Sequence, residues 1–308
     1  MKPLPYVAAA LLLAGSAFAS VDPGLLNLIM PDAKVLSGVQ VDQAIVSPFG
    51  QYVLSQVQPN DPGFLKFIST TGFDPRHDLR EILAASNGAS GGIVVGKGTF
   101  NVAQITAAAT AHGATVTQYR GVSVISGPEN GKGAVAFLDG STAAMGDLAS
   151  VQAAIDRKGS ANPGVDPALA KKASDASLTN QAWFATTSPL SDFLNGKIAN
   201  PNLNNLSQNN LFQSILQASG GINFASGGIV INGDAVTASA ENAKAVVDVL
   251  KFLVSMVPAN NPTLKSLADA ATFSVTGTSA HMSLSLSEQQ AEQLFTQAPK
   301  KAASVQRN

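Results

Sequence analysis

The chain contains no cysteine. That excludes a disulfide framework, a thiolate nucleophile, a lipid-modified cysteine anchor and sulfur-ligated metals, so stability has to come from burial alone. Charge is scarce as well. Charged residues make up 13% of the chain, and the formal net charge is only −1. Such a surface offers no attraction for phosphate backbones or anionic lipid, and nucleic acid is not an expected partner. Aromatic residues amount to 6%, with one Trp and three Tyr, too few for the stacking groove that many sugar-binding proteins present. Only three histidines are available for metal binding or general-base work. After the first twenty residues, no run is long and apolar enough to cross a bilayer, which takes about 20 residues.

What is present is a core-forming composition, 45% hydrophobic, preceded by an export signal. Lys2 supplies a short basic start, Val7 to Leu13 an apolar centre, and Ala17-Phe18-Ala19 a cleavage site before Ser20. Residues 1–19 therefore read as a signal peptide, and the mature protein as periplasmic or secreted, without a stable membrane anchor. The remaining length suits two units, and a repeated phrase marks them. Ala-Ser-Gly-Gly-Ile-Val occurs at 89–94 and again at 225–230, each time leading into a β-type run. The expected division is a first unit at 20–160, a linker and second unit at 161–298, and a disordered tail at 299–308.

Within the first unit, residues 33–41 read as a strand. Ser47-Pro48 and Asp61-Pro62 are each a cap followed by proline at the first helical position. Asn101 caps a helix with Val102, Ile105, Ala108 and Ala109 on one face, ending at His112-Gly113. Alternating strands follow over 116–126 and 134–138, and Asp147 caps a closing helix. In the second unit Ala243, Val246, Val247, Leu250, Leu253, Val254 and Val257 form one apolar stripe at helical spacing. A hairpin about Gly277 and a capping box at Ser287 and Gln290 complete it. Residues 157–180, polar and broken by Gly and Pro, read as a linker with a short helix at 168–176. Residues 200–210, rich in Asn, read as a loop.

Motifs with catalytic associations fail on context. Gly88-Ala-Ser90-Gly-Gly92 matches the nucleophile elbow of serine hydrolases, but a β run follows Ser90 where a helix is required. A hydrolase using Ser90 therefore ranks low. Gly91 to Gly98 approaches a phosphate loop, but Gly98 replaces the metal-binding hydroxyl and Ile93-Val94-Val95 belongs in a sheet. His112 sits at a helix end, where the dipole alone favours a basic group, and His281 shares a strand face with Ser283 and Ser285. Asp74-Pro-Arg76-His77-Asp78-Leu-Arg80-Glu81 is the densest charge cluster. Arg76, His77, Asp78 and Arg80 are accordingly the candidates for a polar site, as metal ligands or an anion clamp, against local pairing on a solvated corner. No catalytic, cofactor-binding or metal-ligating residue is assigned.

The chain resembles a group of exported bacterial proteins, domains of unknown function built from duplicated α+β units. The resemblance rests on Pro31-Asp-Ala-Lys-Val, Ser47-Pro48-Phe49-Gly50, Gly72-Phe-Asp74-Pro-Arg-His-Asp78-Leu, and the phrase running from Gly121-Val to Ala136-Phe-Leu-Asp139-Gly. It implies a ferredoxin-like or related layered fold and no catalytic activity. The expected fold is thus α+β, two related units of mostly antiparallel sheet with helices packed on one face. The expected function is an exported, non-catalytic binding or interaction module without cofactor, whose partner is an envelope protein, a peptide or an apolar small molecule. A periplasmic lipid or hydrophobe carrier is the alternative, and it requires a sheet face lined by Val, Ile, Leu and Phe with a cavity of several hundred Å³.

Overall fold

The computed structural model of the chain describes residues 20–56, 61–88, 91–127, 133–158, 160, 164–189, 192, 211–225, 227–257 and 262–297. The signal segment, Ser90, the 200–210 loop and the tail lie outside the described residues. The elements run α1 (Pro23–Leu26), β1 (Val35–Gln40), α2 (Val41–Ala44), α3 (Pro48–Gln56), α4 (Pro62–Thr71), α5 (Pro75–Asp78), β2 (Leu79–Ser86) and β3 (Gly92–Gly98). There follow α6 (Val102–Ala111), β4 (Thr115–Tyr119), β5 (Val122–Ser126), β6 (Ala134–Phe137), β7 (Thr142–Gly146), α7 (Leu148–Arg157), α8 (Pro167–Ser177) and β8 (Ala182–Thr186). The chain ends with α9 (Leu211–Ser214), β9 (Ile215–Ala225), β10 (Gly228–Thr237), α10 (Ala240–Ser255), α11 (Pro262–Ala270), β11 (Ala271–Thr276), β12 (Ser279–Ser287) and α12 (Glu288–Gln297).

The twelve strands among the described residues form one antiparallel sheet, in the order β11-β12-β10-β9-β8-β1-β2-β3-β7-β6-β5-β4. The fold is α+β, as the alternating strands and short turns imply. Each half lays down its strands in the same order, β1-β2-β3-β7-β6 in one and β8-β9-β10-β12-β11 in the other, and the two meet where β1 pairs antiparallel with β8. The described parts of the two Ala-Ser-Gly-Gly-Ile-Val phrases lead into β3 and β10, which hold Gly92–Val94 and Gly228–Val230. At the junction Gly38 lies beneath the ring of Trp183, where a Cβ would come within 2.5 Å of the indole, so no other residue fits without displacing it.

The faces of the sheet are not treated alike. On one face of the first half, Leu36, Leu83, Ile93, Val95, Val124 and Ala144 are buried against α1, α7 and α8 in the main core. The same face in the second half turns polar, with Asn232 and Asp234 on β10 beside Ser283 and His281 on β12, and His281 pairs with Asp234. The opposite face carries α4 and α6 over the first half and α3, α10, α11 and α12 over the second. Among the described residues, helices thus cover both faces of the first half, while on the polar face of the second half only α8 reaches over, onto β8 and β9.

Residues 157–180 are not a linker. Asp166 caps α8 through its carboxylate, accepting from Ala168 and Leu169 N–H, and Leu169, Ala173 and Ala176 pack into the main core with Trp183 and Ala185. The segment reads as polar because α8 alternates buried Leu and Ala with Lys and Asp on its outer side, and small buried alanines give a weak periodic signal.

Candidate functional site

Beneath α4 and α6 the first half of the sheet leaves a cavity of about 770 Å³. Its floor is the second apolar face of the strands. Ile82, Val94, Ala143, Met145, Val135 and Ile125 all line it, and the pairings Val94↔Met145, Met145↔Val135 and Val135↔Ile125 put them on one face. Its roof is two helix stripes at i, i+3, i+4, i+7 spacing: Gly63, Lys66, Phe67 and Thr70 of α4, and Ile105, Ala108, Ala109 and His112 of α6.

Local sequence explains why the roof stands where it does. Asp61 accepts the Phe64 N–H at 2.7 Å to start α4, and Gly72, at φ 66°, ends it in the left-handed conformation. Asn101 starts α6 by accepting the Gln104 N–H, and Gln104 Nε2 then donates to Thr70 O at 3.3 Å, tying the two helices together. Alanines at 108 and 109 are too short to fill the space below. A chain of rings closes one end, with Phe73–Phe100 centroids at 5.4 Å and Phe100–Phe137 at 5.2 Å. The other walls are more open: Phe67 is 45% and Met145 52% exposed.

A space of this size would hold roughly two dozen waters at about 30 Å³ each, but a water needs two to four polar partners. The lining offers mainly Val, Ile, Leu, Phe, Ala and Met. Among the described residues its ionisable members are Lys66 and His112, with no Asp or Glu. His112 Nδ1 lies 2.9 Å from Ala108 O, an atom that only accepts, so this nitrogen carries the proton.

The charge cluster is a corner beside the cavity. Arg76 and Asp74 pair at 2.6 Å, which holds the Asp74 carboxyl below its ordinary range, chiefly through the hydrogen bond from Arg76. The Arg76 guanidinium also lies 5.1 Å over the Phe64 ring, bracing the start of α4. Asp78 accepts the Asp74 N–H at 2.6 Å, while His77 and Arg80 are exposed. Arg76 and Asp78 are thus held by separate local partners, and no group of three or more His, Cys, Asp or Glu among the described residues could hold a metal. All of the Gly91–Gly98 segment but Gly91 is strand β3, paired with β2 on one side and β7 on the other, so its amides do not form a phosphate cradle. His281 is held by Asp234.

Reading the strands as one-sided hides the cavity from the sequence. The available signal was the unbroken run Ile93-Val94-Val95 and the phrase Ala134-Val-Ala-Phe-Leu138, which lack polar alternation because both faces are covered.

Comparison with solved structures gives the same architecture. The fold resembles that of TP0453. One crystal form, III, superposes with a TM-score of 0.54 at 13% identity, covering 90% of this chain and 98% of that one. Form IV gives a TM-score of 0.52 at 14% identity, covering 90% of this chain and 97% of that one. No family model matches the chain, and no curated relative does. At this identity the likeness to TP0453 concerns the fold alone.

Proposed function

We propose that this chain is an exported, non-catalytic binding protein that carries an apolar, chain-like molecule in the cavity beneath α4 and α6. One observation weighs most: about 770 Å³ of space bounded by two-faced apolar strands, within the ~300–1,000 Å³ range of small-molecule sites. Of the two binding readings open from sequence, the hydrophobe carrier has this specific support, and the interaction module for an envelope protein or peptide has none comparable. The shared strand order of the halves and the repeated Ala-Ser-Gly-Gly-Ile-Val phrase support descent of the two from a duplicated unit. Export rests on residues 1–19, and N-terminal sequencing of the protein from its own periplasm or medium should begin at Ser20.

The test of the carrier reading is native mass spectrometry of protein purified from its source, followed by denaturing extraction. A bound apolar molecule is expected. It should be lost in the double variant Ala109→Phe/Ala143→Leu, which fills the cavity from roof and floor, while circular dichroism stays unchanged. A folded wild-type protein that neither brings out nor takes up any apolar molecule removes the reading.

A further inference from the structure

Among the residues that line the cavity, the two ionisable ones are both basic, and they sit in different places. Lys66 is exposed on α4 next to half-exposed Phe67, so its ammonium stands at the mouth with no ion pair among the described residues. His112 closes the stripe of α6, and with Nδ1–H donated to Ala108 O its Nε2 is the nitrogen left for a ligand.

Resting on the carrier reading, we infer that the ligand is a long-chain carboxylate, its hydrocarbon tail on the apolar floor and its carboxylate held by Lys66. Charge complementarity selects this class. Lys66 contributes a single full positive charge, which a monoanion neutralises; a phosphate monoester carries about two negative charges at neutral pH. A zwitterionic headgroup brings a cation, and among the described residues the lining has no carboxylate to meet it. A tail with no headgroup would leave the ammonium facing apolar surface without gain. With Nδ1–H on Ala108 O, His112 offers Nε2 only as an acceptor, so the carboxylate is held by Lys66.

The experiment compares three ligands of one chain length, oleate, oleyl alcohol and oleylamine, by displacement of a fluorescent apolar probe from the full mature protein. Oleate should bind about tenfold or more tightly than the alcohol, with the amine weakest. Lys66→Met should bring the oleate-to-alcohol ratio to about one and Lys66→Glu should bring it below one, and because Lys66 is exposed both variants should fold normally by circular dichroism. If the three ligands bind equally in the wild type, the carboxylate assignment is overturned and the carrier reading stands. If none displaces the probe, the carrier reading falls with it. Preference for a two-chain phosphatidate over oleate would overturn the single-chain assignment.

Discussion

Helices α6 and α10 follow equivalent strands in the two halves and cover the same face of the sheet, but they meet it differently. Helix α10 turns Ala243, Val246, Val247 and Leu250 onto Ile215, Ala218, Ala235, Phe273 and Ala280, and packs against β10, β11 and β12. Helix α6 offers Ile105, Ala108, Ala109 and His112, and leans on α4 and β4. Val246, Val247 and Leu250 fill the space between α10 and the sheet, whereas Ala108 and Ala109 leave the space beneath α6 unfilled. The difference separates a half whose core is filled on this face from one that keeps room for a ligand.

The contrast can be broken at its filled end first. Val247→Ala removes a buried side chain from the α10 interface and should cost about 2 kcal/mol of unfolding free energy in urea titration. A loss below about 0.5 kcal/mol would mean that α10 is as loosely seated as α6. A smaller effect, read through pH, separates the faces turned away from these helices. Glu81 on β2 and Asp234 on β10 lie on that same face. Asp234 is half-exposed and paired with His281, whereas Glu81 is covered by the main core and its carboxyl is pushed up to about 7, mostly by burial, against the stabilising hydrogen bond from Asp22 N–H. A carboxyl with a raised folded pKa stabilises the fold fully below its unfolded value near 4.5, and that contribution is lost as pH rises through about 7. Stability should therefore fall between about pH 4.5 and 8, and Glu81→Gln should flatten the profile, gaining about 1–2 kcal/mol at pH 8. An unchanged slope in the variant would assign the pH dependence elsewhere. The smallest effect belongs to the open half: Ile105→Ala borders space that is already empty and should cost less than about 1 kcal/mol in the ligand-free protein, while weakening ligand binding in the probe assay.

Much of the scaffold was legible in the sequence because its signals are local. Caps at Ser47, Asp61, Asn101 and Asp147 sit where the helices start, and the apolar stripe of α10 is buried along its N-terminal half. Its C-terminal part lies less deep: Leu250, Leu253 and Val254 of the stripe are only half-buried, since periodicity reports an amphipathic helix without saying how much sheet lies beneath it. The site was hidden for the converse reason. A cavity is a relation between α4, α6 and strands far apart in the chain, and none of Lys66, Ala109, Val135 or Met145 differs from an ordinary core or surface residue when read alone. The eye goes to charge, as at Arg76–Arg80, where the structure finds local pairing that braces α4.

The seam between β1 and β8 has a consequence for the order in which the molecule assembles. β1 is among the first elements synthesised, yet one of its two neighbours is made more than a hundred residues later, and Val21 N–H likewise waits for the Ser177 hydroxyl. The centre of the sheet therefore closes after its flanking hairpins, and pairings of such high sequence separation fold slowly. Until then β1 presents an unpaired edge at the middle of the growing protein, the kind of edge that invites strands from other chains. Refolding followed through Trp183, the chain's single tryptophan, reports this closing step directly, because its ring is buried only when the two central strands have met.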